Sequence, residues 1–274
     1  MALTHELVIG PRKGWQPVDV REMWEYRELL GFLVWRDIKV RYKQTLLGGM
    51  WAILQPLIGM IVFSVIFTRV APMPSDGIPY PLFVFTGLTI WTFFQNGVSL
   101  SSNSLVDNKE TIRKIYFPRI LVPLGQILAM GFDLSISMIL VFCIMLYYRW
   151  PLSSRLAWLP LFLLGSCLAT GGFGFVLSAL NVRYRDVKYA LPFFIQTLLF
   201  ATPVLYPMSR FPARFRLLLS LNPMSGMVEG FRYALLGGSL SWHLVGVSFA
   251  SGIVMFIAGL FYIRRMENTF ADVI

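Results

Sequence analysis

Long runs without a charged side chain constrain this sequence more than any other feature. A helix needs about 20 mostly apolar residues to cross the hydrocarbon core of a bilayer. Five uncharged runs reach that length, at residues 44–68, 77–106, 156–182, 189–209 and 233–263, and a sixth, 120–148, is interrupted only by Asp133. These runs predict an all-α integral membrane protein with six transmembrane helices. The predicted spans are about 48–69, 80–102, 120–148, 156–180, 189–207 and 242–263.

The composition agrees with this class. Charged residues make up 14% of the 274 residues and the mean hydropathy is +0.65, whereas soluble domains carry about 25% charged residues. Because six spans leave too little chain for a sizeable soluble core, we expect one six-span domain over 44–274, preceded by a cytoplasmic segment, 1–43. The first apolar run comes too late for a secretory signal peptide. Cys143 and Cys167 fall within predicted spans and imply no disulfide framework.

The distribution of basic residues predicts the orientation. An even number of spans places both termini on one side, and 17 of the 24 Lys and Arg residues lie in the terminal segments and in the 2–3 and 4–5 loops. Cytoplasmic loops carry the excess of Lys and Arg, so both termini are expected in the cytoplasm. The net charge of +10 then reflects orientation and contact with anionic lipids. Because the basic residues are spread over juxtamembrane loops, a nucleic-acid partner is not expected.

The segment before the first span carries an apolar stripe at helical spacing. The stripe over residues 18–43 consists of Met23, Tyr26, Leu29, Leu30, Leu33 and Val34. It predicts an amphipathic helix in the membrane interface. The alternative is a cytosolic helix, and Trp24 and Trp35 favour the interface because tryptophan is enriched there.

The charged stretch DNKETIRKIYFPR, residues 107–119, separates the second and third spans. Asp107 can cap a helix with Glu110 as its capping-box partner, and Pro118 prevents smooth continuation. The pattern predicts a short cytoplasmic helix over about 108–116. The residues alone favour an ordinary basic loop that touches lipid headgroups.

The stretch 206–242, on the opposite side, contains an apolar run only half a span long. This run, LLLSLNPMSGMV, breaks at Asn222-Pro223, and its length is typical of a re-entrant or interfacial segment. We expect two short helices that meet at the break, with Gly237-Gly238 ending the second. A plain surface loop is the alternative.

Signatures of catalysis are scarce in the sequence. It has two histidines, no cluster with metal-ligand spacing, no G-x-S-x-G elbow and no phosphate-binding G-x-x-x-x-G-K-[ST] loop. We therefore expect no enzyme and no metal, and any ATP hydrolysis should occur in another chain. Asp133 is a functional candidate because intramembrane carboxylates are expensive. It could relay protons or pin two helices together, and the lack of an evident basic partner favours the structural role.

Aromatic residues make up 15% of the chain. Lipid contact and an interfacial belt explain most of them. The alternative is a channel with aromatic walls, which could pass sugar rings by stacking on their apolar faces. The candidates for such a wall are Phe63, Phe67, Trp91, Phe200 and Tyr206.

Four segments carry a family resemblance. They are WRDIKVRYKQTLLGGMWAILQPL (35–57), KETIRKIYFPRILVPL (109–124), NVRYRDVKYALPF (181–193) and LNPMSGMVEGFRYALLGG (221–238). With these segments in this order among six spans, the chain resembles the membrane-spanning permease of ABC-2-type exporters of polysaccharides and polyol phosphates. The similarity runs from about residue 24 to the C-terminus.

The resemblance implies a multi-pass permease in the cytoplasmic (inner) membrane of a bacterium. It implies export of lipid-linked polysaccharide, O-antigen-like or capsular; the alternatives are a teichoic acid exporter of the same family and an ABC-2 exporter of small molecules or drugs. The expected partners are a second copy of the chain and two copies of an ATPase subunit, which binds the ATP and magnesium. A lipid-linked sugar transferase is disfavoured by the missing acid/base and metal residues.

The resemblance also assigns candidate site residues. The coupling helix that docks into the ATPase is implied at Asp107, Asn108, Lys109, Glu110, Thr111, Arg113, Lys114 and Tyr116. Candidates for a lipid headgroup are Arg36, Lys39, Arg41 and Lys43, for which orientation by positive charge is the alternative. Gate helices are implied in the 208–238 segment, with Leu217, Leu218 and Leu221 as sealing residues.

Overall fold

In the computed structural model, residues 20–43, 50–70, 72–73 and 75–273 are described. The part of the predicted N-terminal segment before residue 20 lies outside these residues. Every long regular element of the described chain is a helix. The first six helices are α1 Val20–Glu25, α2 Arg27–Lys43, α3 Trp51–Val65, α4 Tyr80–Asp107, α5 Lys109–Lys114 and α6 Leu121–Tyr147. The others are α7 Leu159–Arg183, α8 Val187–Ala201, α9 Ala213–Ser220, α10 Pro223–Leu236 and α11 Trp242–Val273.

Four helical segments in the described chain are long and apolar enough to cross a membrane. They are Ile53–Val70, Leu121–Tyr147, Ser154–Arg183 and Trp242–Met266. The first joins α3 to a π-helical turn, Ile66–Val70, and the third joins a 3₁₀ turn, Ser154–Trp158, to α7. Of the remaining predicted spans, α4 has 28 residues but a polar second half, and α8 has only 15 residues.

Helix α4 lies at the centre of the molecule. It packs against α3, α6, α7 and α10, and its Phe85, Trp91 and Phe94 are among the largest fully buried side chains. Several of its hydroxyl groups bond back to the helix, as in the 2.9 Å bond from Thr89 Oγ1 to the carbonyl of Phe85. Protein neighbours cover this helix, which explains why a helix too polar for lipid contact can lie inside the bundle.

Helices α7 and α11 form the most extensive pair in the fold. Gly172 allows their close approach, because a Cβ at this position would lie 2.7 Å from backbone atoms of Met255 and Phe256. Small residues let helix backbones approach closely in a bilayer, where lipid tails remove the hydrophobic drive for association.

Helix α2 packs along the first half of α6. Leu33 is buried beside Gly125, and Gln126 Nε2 donates to Asp37 Oδ2 at 2.7 Å. The predicted apolar stripe is the side of the N-terminal segment that packs on the core, whereas Trp24 and Trp35 are exposed. The stripe therefore covers α6, and the tryptophans lie on the outer side of the segment.

The predicted break between two short helices is confirmed at Asn222-Pro223. Helix α9 ends at Ser220, and the Asn222 side chain accepts a hydrogen bond from the Met224 backbone nitrogen at 3.1 Å, which caps α10. Gly237 ends α10 with a φ of +82°, a value that favours glycine. Helix α10 is mostly buried against α4, α7 and α11.

Candidate functional site

Helix α5 follows α4 after a single residue. Asn108 separates them, and its Nδ2 donates to the carbonyl of Ser104 at 2.8 Å. Ile112 and Phe117 are buried and anchor this segment to the core. The predicted coupling residues that are exposed are Asp107, Lys109, Glu110, Arg113, Lys114 and Tyr116, and those that are half-buried are Asn108 and Thr111.

The predicted capping box is wrong. Asp107 is the last residue of α4, and α5 begins at Lys109 without a side-chain cap. Helix α4 continues past the predicted span end because its polar side chains bond back to the helix; Asn103 Nδ2 donates to the carbonyl of Ser99 at 2.9 Å. Helix α5 covers Lys109–Lys114 and is shorter than the predicted helix over 108–116, because the backbone becomes extended at Ile115.

A groove of about 410 Å³ lies where the ends of α4 and α7 meet the starts of α5 and α8. Asn181 Nδ2 of α7 donates to the carbonyl of Ser102 at 3.0 Å and to Oδ1 of Asn103 at 3.1 Å. The polar residues that line the groove are Asn103, Asp107, Lys109, Asn181, Arg185 and Lys188. The two basic stretches, at 107–119 and 183–188, therefore share one surface, which the sequence did not reveal.

The four headgroup candidates on α2 divide into two kinds. Arg36 binds Asp37 at 2.8 Å, and Arg41 binds Asp133 at 2.8 Å, so both guanidinium groups already have carboxylate partners. Lys39 and Lys43 are exposed, and the Lys39 ammonium lies 4.3 Å from the centre of the Trp35 ring. The two lysines are therefore the cations of this set that are available to an anion.

Asp133 has two partners on α2. Its Oδ2 accepts from Arg41, and its Oδ1 accepts a short hydrogen bond from the Tyr42 hydroxyl. Burial raises the pKa of Tyr42 to about 12, and the bond to Asp133 adds in the same direction, so the phenol stays protonated as a donor. The expectation of a carboxylate without a basic partner is wrong, because the partner comes from the helix before the first span. The contacts agree with the expected role of pinning two helices together.

Arg232 of α10 is a buried cation that joins three parts of the chain. It is 4% exposed, and it donates to the carbonyls of Phe83 at 3.2 Å, of Pro203 at 2.6 Å and of Val204. Glu229 lies 3.5 Å away as its counter-charge. Burial lowers the pKa of Arg232 to about 10, and Glu229 opposes that shift, so the guanidinium stays charged at neutral pH.

The aromatic candidates occupy different environments. The rings of Phe63 and Phe67 stack with centroids 6.2 Å apart. Phe200 is 58% exposed, and its carbonyl accepts from the Tyr206 hydroxyl at 2.7 Å. Trp91 is 1% exposed and packs against Phe94 in the core. We therefore correct the expectation that Trp91 lines a channel, because neighbouring helices enclose its side chain.

The sealing candidates lie at the end of α9, with Leu217 and Leu218 in the helix and Leu221 directly after its last residue. Leu217, Leu218 and Leu221 are 47%, 63% and 58% exposed, so this helix presents an apolar surface to its surroundings. Across the described ranges, no group of three or more His, Cys, Asp or Glu residues could hold a metal ion. The described residues therefore supply a short helix with exposed charges that is anchored to the core, and exposed apolar surfaces. These features suit the binding of a partner and the movement of helices.

The chain is similar to known transport proteins over most of its length. The profile of the ABC-2 type transporter family matches residues 28–236. The O-antigen export system permease protein RfbA of Klebsiella pneumoniae is 29% identical over 249 residues, covering 90% of this chain and 95% of that protein. The protein of the same name from Myxococcus xanthus is 33% identical over 218 residues, covering 78% and 82%. The polysialic acid transport protein KpsM of Escherichia coli is 25% identical over 216 residues, covering 75% and 80%.

Proposed function

The chain belongs to the ABC-2 type transporter family, and we propose that it is the permease subunit of an ATP-driven exporter of lipid-linked polysaccharide. The substrate class is an O-antigen-like or capsular glycan, and the location is the cytoplasmic membrane of a bacterium. The similarity to O-antigen export permeases over 90% of the chain carries this proposal. The permease is not itself an enzyme and uses no cofactor of its own; ATP and magnesium bind to a separate ATPase subunit.

The proposed topology has six spans, formed by α3, α4, α6, α7, α8 and α11. Helix α4 supports this count because its 28 residues, about 42 Å at 1.5 Å per residue, exceed the hydrocarbon thickness. Helix α8 is short and continues into the chain before α9. The asymmetry of Lys and Arg supports a cytoplasmic location for both termini and for α5, with α2 in the cytoplasmic interface and α9 and α10 as external re-entrant helices.

We assign ATPase coupling to α5. Its exposed charges can bind a partner, and Ile112 and Phe117 fix it to the core, so a displacement of α5 is carried into the bundle. The hydrogen bonds from Asn181 to Ser102 and Asn103 pass the movement on from α4 to α7. Through such a rigid connection, ATP binding to the ATPase subunit can shift the equilibrium between two conformations of the channel.

We assign the channel to the contact between two copies of the chain. The exposed apolar residues of α3 and α8 support this assignment, since a second copy could cover them; examples are Ile58, Ile61, Phe193 and Phe200. Lys39 and Lys43 would attract the phosphate of a lipid headgroup at the cytoplasmic side. Leu217 and Leu218 of α9, together with Leu221 directly after it, would seal the external exit.

Deletion of the gene in its source bacterium tests the proposal. We expect the surface polysaccharide to disappear, lipid-linked polysaccharide to accumulate inside, and a plasmid copy to restore both. Electrophoresis with a carbohydrate stain measures the first two quantities. A polymer of polyol phosphate in the accumulated material would identify a teichoic acid exporter instead. Unchanged surface polysaccharide with increased drug sensitivity would overturn the proposal in favour of a small-molecule exporter.

A further inference from the structure

A cavity of about 270 Å³ lies between α2, α3, α4 and α6. The ion pair of Arg41 and Asp133 forms one wall, and the opposite walls come from Trp51 and Gln55 of α3 and from α4. The lining combines apolar side chains, such as Trp51, Phe93 and Leu134, with polar ones. This combination is typical of small-molecule sites, in which a few placed polar groups fix the orientation of a ligand.

Three polar side chains that line the cavity have unused hydrogen-bonding groups. They are Gln55 of α3 and Thr92 and Asn96 of α4. Within the described part of the chain, none of the three side chains makes a hydrogen bond. Other polar residues of α4 differ: Thr89 Oγ1 donates to the carbonyl of Phe85, and Asn103 Nδ2 donates to the carbonyl of Ser99. On α4, Thr92 and Asn96 are therefore the cavity-lining residues whose hydrogen-bonding groups remain available to a ligand.

The cavity lies near the middle of the helices that line it. Asn96 is about 16 Å along α4 from Asp107 and about 24 Å from Tyr80, at 1.5 Å per residue. Asp133 is about 18 Å along α6 from Leu121 by the same measure. Polar groups without partners are expensive at membrane depth. A lipid tail could not bond to them, so a polar molecule is their natural partner.

The charges of the cavity exclude an anion as that molecule. Arg41 is the only cation among the described residues that line it, and the carboxylate of Asp133 binds it at 2.8 Å. The lining as a whole is thus electrically neutral. A phosphate group would have to displace Asp133, whereas an uncharged molecule can bond to the two amides and the hydroxyl directly.

We propose that this cavity binds one uncharged sugar unit of the exported glycan. The hydroxyl groups of the sugar bond to Gln55, Thr92 and Asn96, and the apolar faces of the ring lie against Trp51 and Phe93. This inference rests on the proposed function and adds a binding site within each chain. The site holds a sugar unit between successive steps of transport.

Photo-cross-linking in the source bacterium tests the site. The change Leu134→p-benzoylphenylalanine places the photoprobe in the cavity wall, and Ile139→p-benzoylphenylalanine places it on an exposed position of the same helix as a matched control. The probe is the lipid-linked glycan that the cell makes. We expect a carbohydrate-positive adduct at position 134, no such adduct at 139, and none in a strain that cannot start glycan synthesis.

Two further variants give the site a quantitative test. Thr92→Val and Asn96→Leu keep the size of each side chain and remove its hydrogen-bonding groups; each should reduce the adduct about fivefold, the effect of one lost hydrogen bond. Ser135→Ala on α6, which removes a hydroxyl group at an exposed position outside the cavity, is the control. Membrane level and co-purification with the ATPase report on folding.

The outcomes separate this site from the proposed function. A cell that exports glycan normally but gives no adduct at position 134 overturns the site alone. An adduct that persists without glycan synthesis identifies a phospholipid in the cavity and also overturns the site. Deletion of the gene without loss of surface glycan overturns the proposed function, whatever the adducts show.

Discussion

The guanidinium of Arg232 lies 3.7 Å from the centre of the Phe83 ring and donates from Nε to the carbonyl of the same residue at 3.2 Å. The same side chain reaches the carbonyls of Pro203 and Val204, beyond the end of α8. One residue of α10 therefore fastens the start of α4 and the chain after α8. These are the elements that the proposed external gate must hold together.

Removal of the Arg232 side-chain charge should destabilise the protein strongly. Arg232→Met leaves the half-buried Glu229 without its counter-charge and three carbonyls without their donor. We expect a loss of about 3–5 kcal/mol in the free energy of unfolding. Thermal unfolding of the purified chain in detergent measures it. Arg210→Met, at an exposed position, is the control, and equal midpoints for the two variants would contradict the importance of this cluster.

Gly87→Ala should weaken the contacts of Arg232 with Phe83 and Val204 by crowding the guanidinium. A Cβ at position 87 would collide with the guanidinium of Arg232 and lie 2.8 Å from the carbonyl oxygen of Val204. Arg232 would have to leave its place over Phe83, at a cost of about 1–3 kcal/mol. Gly131→Ala on α6 meets nothing within 4 Å and serves as the control. In the Arg232→Met background the added methyl group should cost less, because the guanidinium has gone and only the contact with the Val204 carbonyl oxygen remains.

Local patterns in the sequence predicted the helices far better than the contacts between them. The apolar runs located α3, α6, α7 and α11, and the Asn222-Pro223 break and Gly237 located the ends of α10. Uncharged length could not show that α4 is enclosed by other helices, because the packing of α6, α7 and α10 around it brings together residues that are far apart along the chain. The pairing of Asp133 with Arg41, and of Arg232 with Phe83, joins residues that are far apart along the chain. The helical spacing of apolar residues along the sequence does not predict such contacts.

Export should depend on the ion pair between Arg41 and Asp133, so that losing one of the two charges is more harmful than losing both. Arg41→Gln leaves a half-buried carboxylate with the Tyr42 hydroxyl, and Asp133→Asn leaves an unpaired guanidinium. Each change should reduce export several-fold, and the double variant should recover part of the loss because no charge remains unpaired. The rate at which surface glycan reappears after induction measures this. Arg27→Gln, at an exposed position of α2, is the control, and additive losses would contradict coupling between the two residues.

The apolar surface of α9 should seal the external side. Replacing Leu217, Leu218 and Leu221 together by Ala removes much of the exposed apolar side-chain surface of this helix. We expect cells to become permeable to small hydrophilic dyes while the chain still reaches the membrane. Leu152→Ala, an exposed position outside α9, controls for a general effect of lost surface. Unchanged dye uptake would argue that α9 does not close the exit.

The charges of α5 should determine whether the permease and the ATPase work together. Reversing them, with Glu110→Lys, Arg113→Glu and Lys114→Glu in one chain, keeps the buried Ile112 and the length of the helix but inverts the exposed pattern. We expect the ATPase to be lost during purification and export to fall at least about tenfold, because like charges on α5 and the ATPase would then face and repel each other. A matched reversal at Arg214→Glu on α9 should leave both quantities unchanged. Export and ATPase retention that both survive the triple reversal would show that ATP hydrolysis reaches the bundle through another surface, and the groove with Arg185 and Lys188 would become the next candidate.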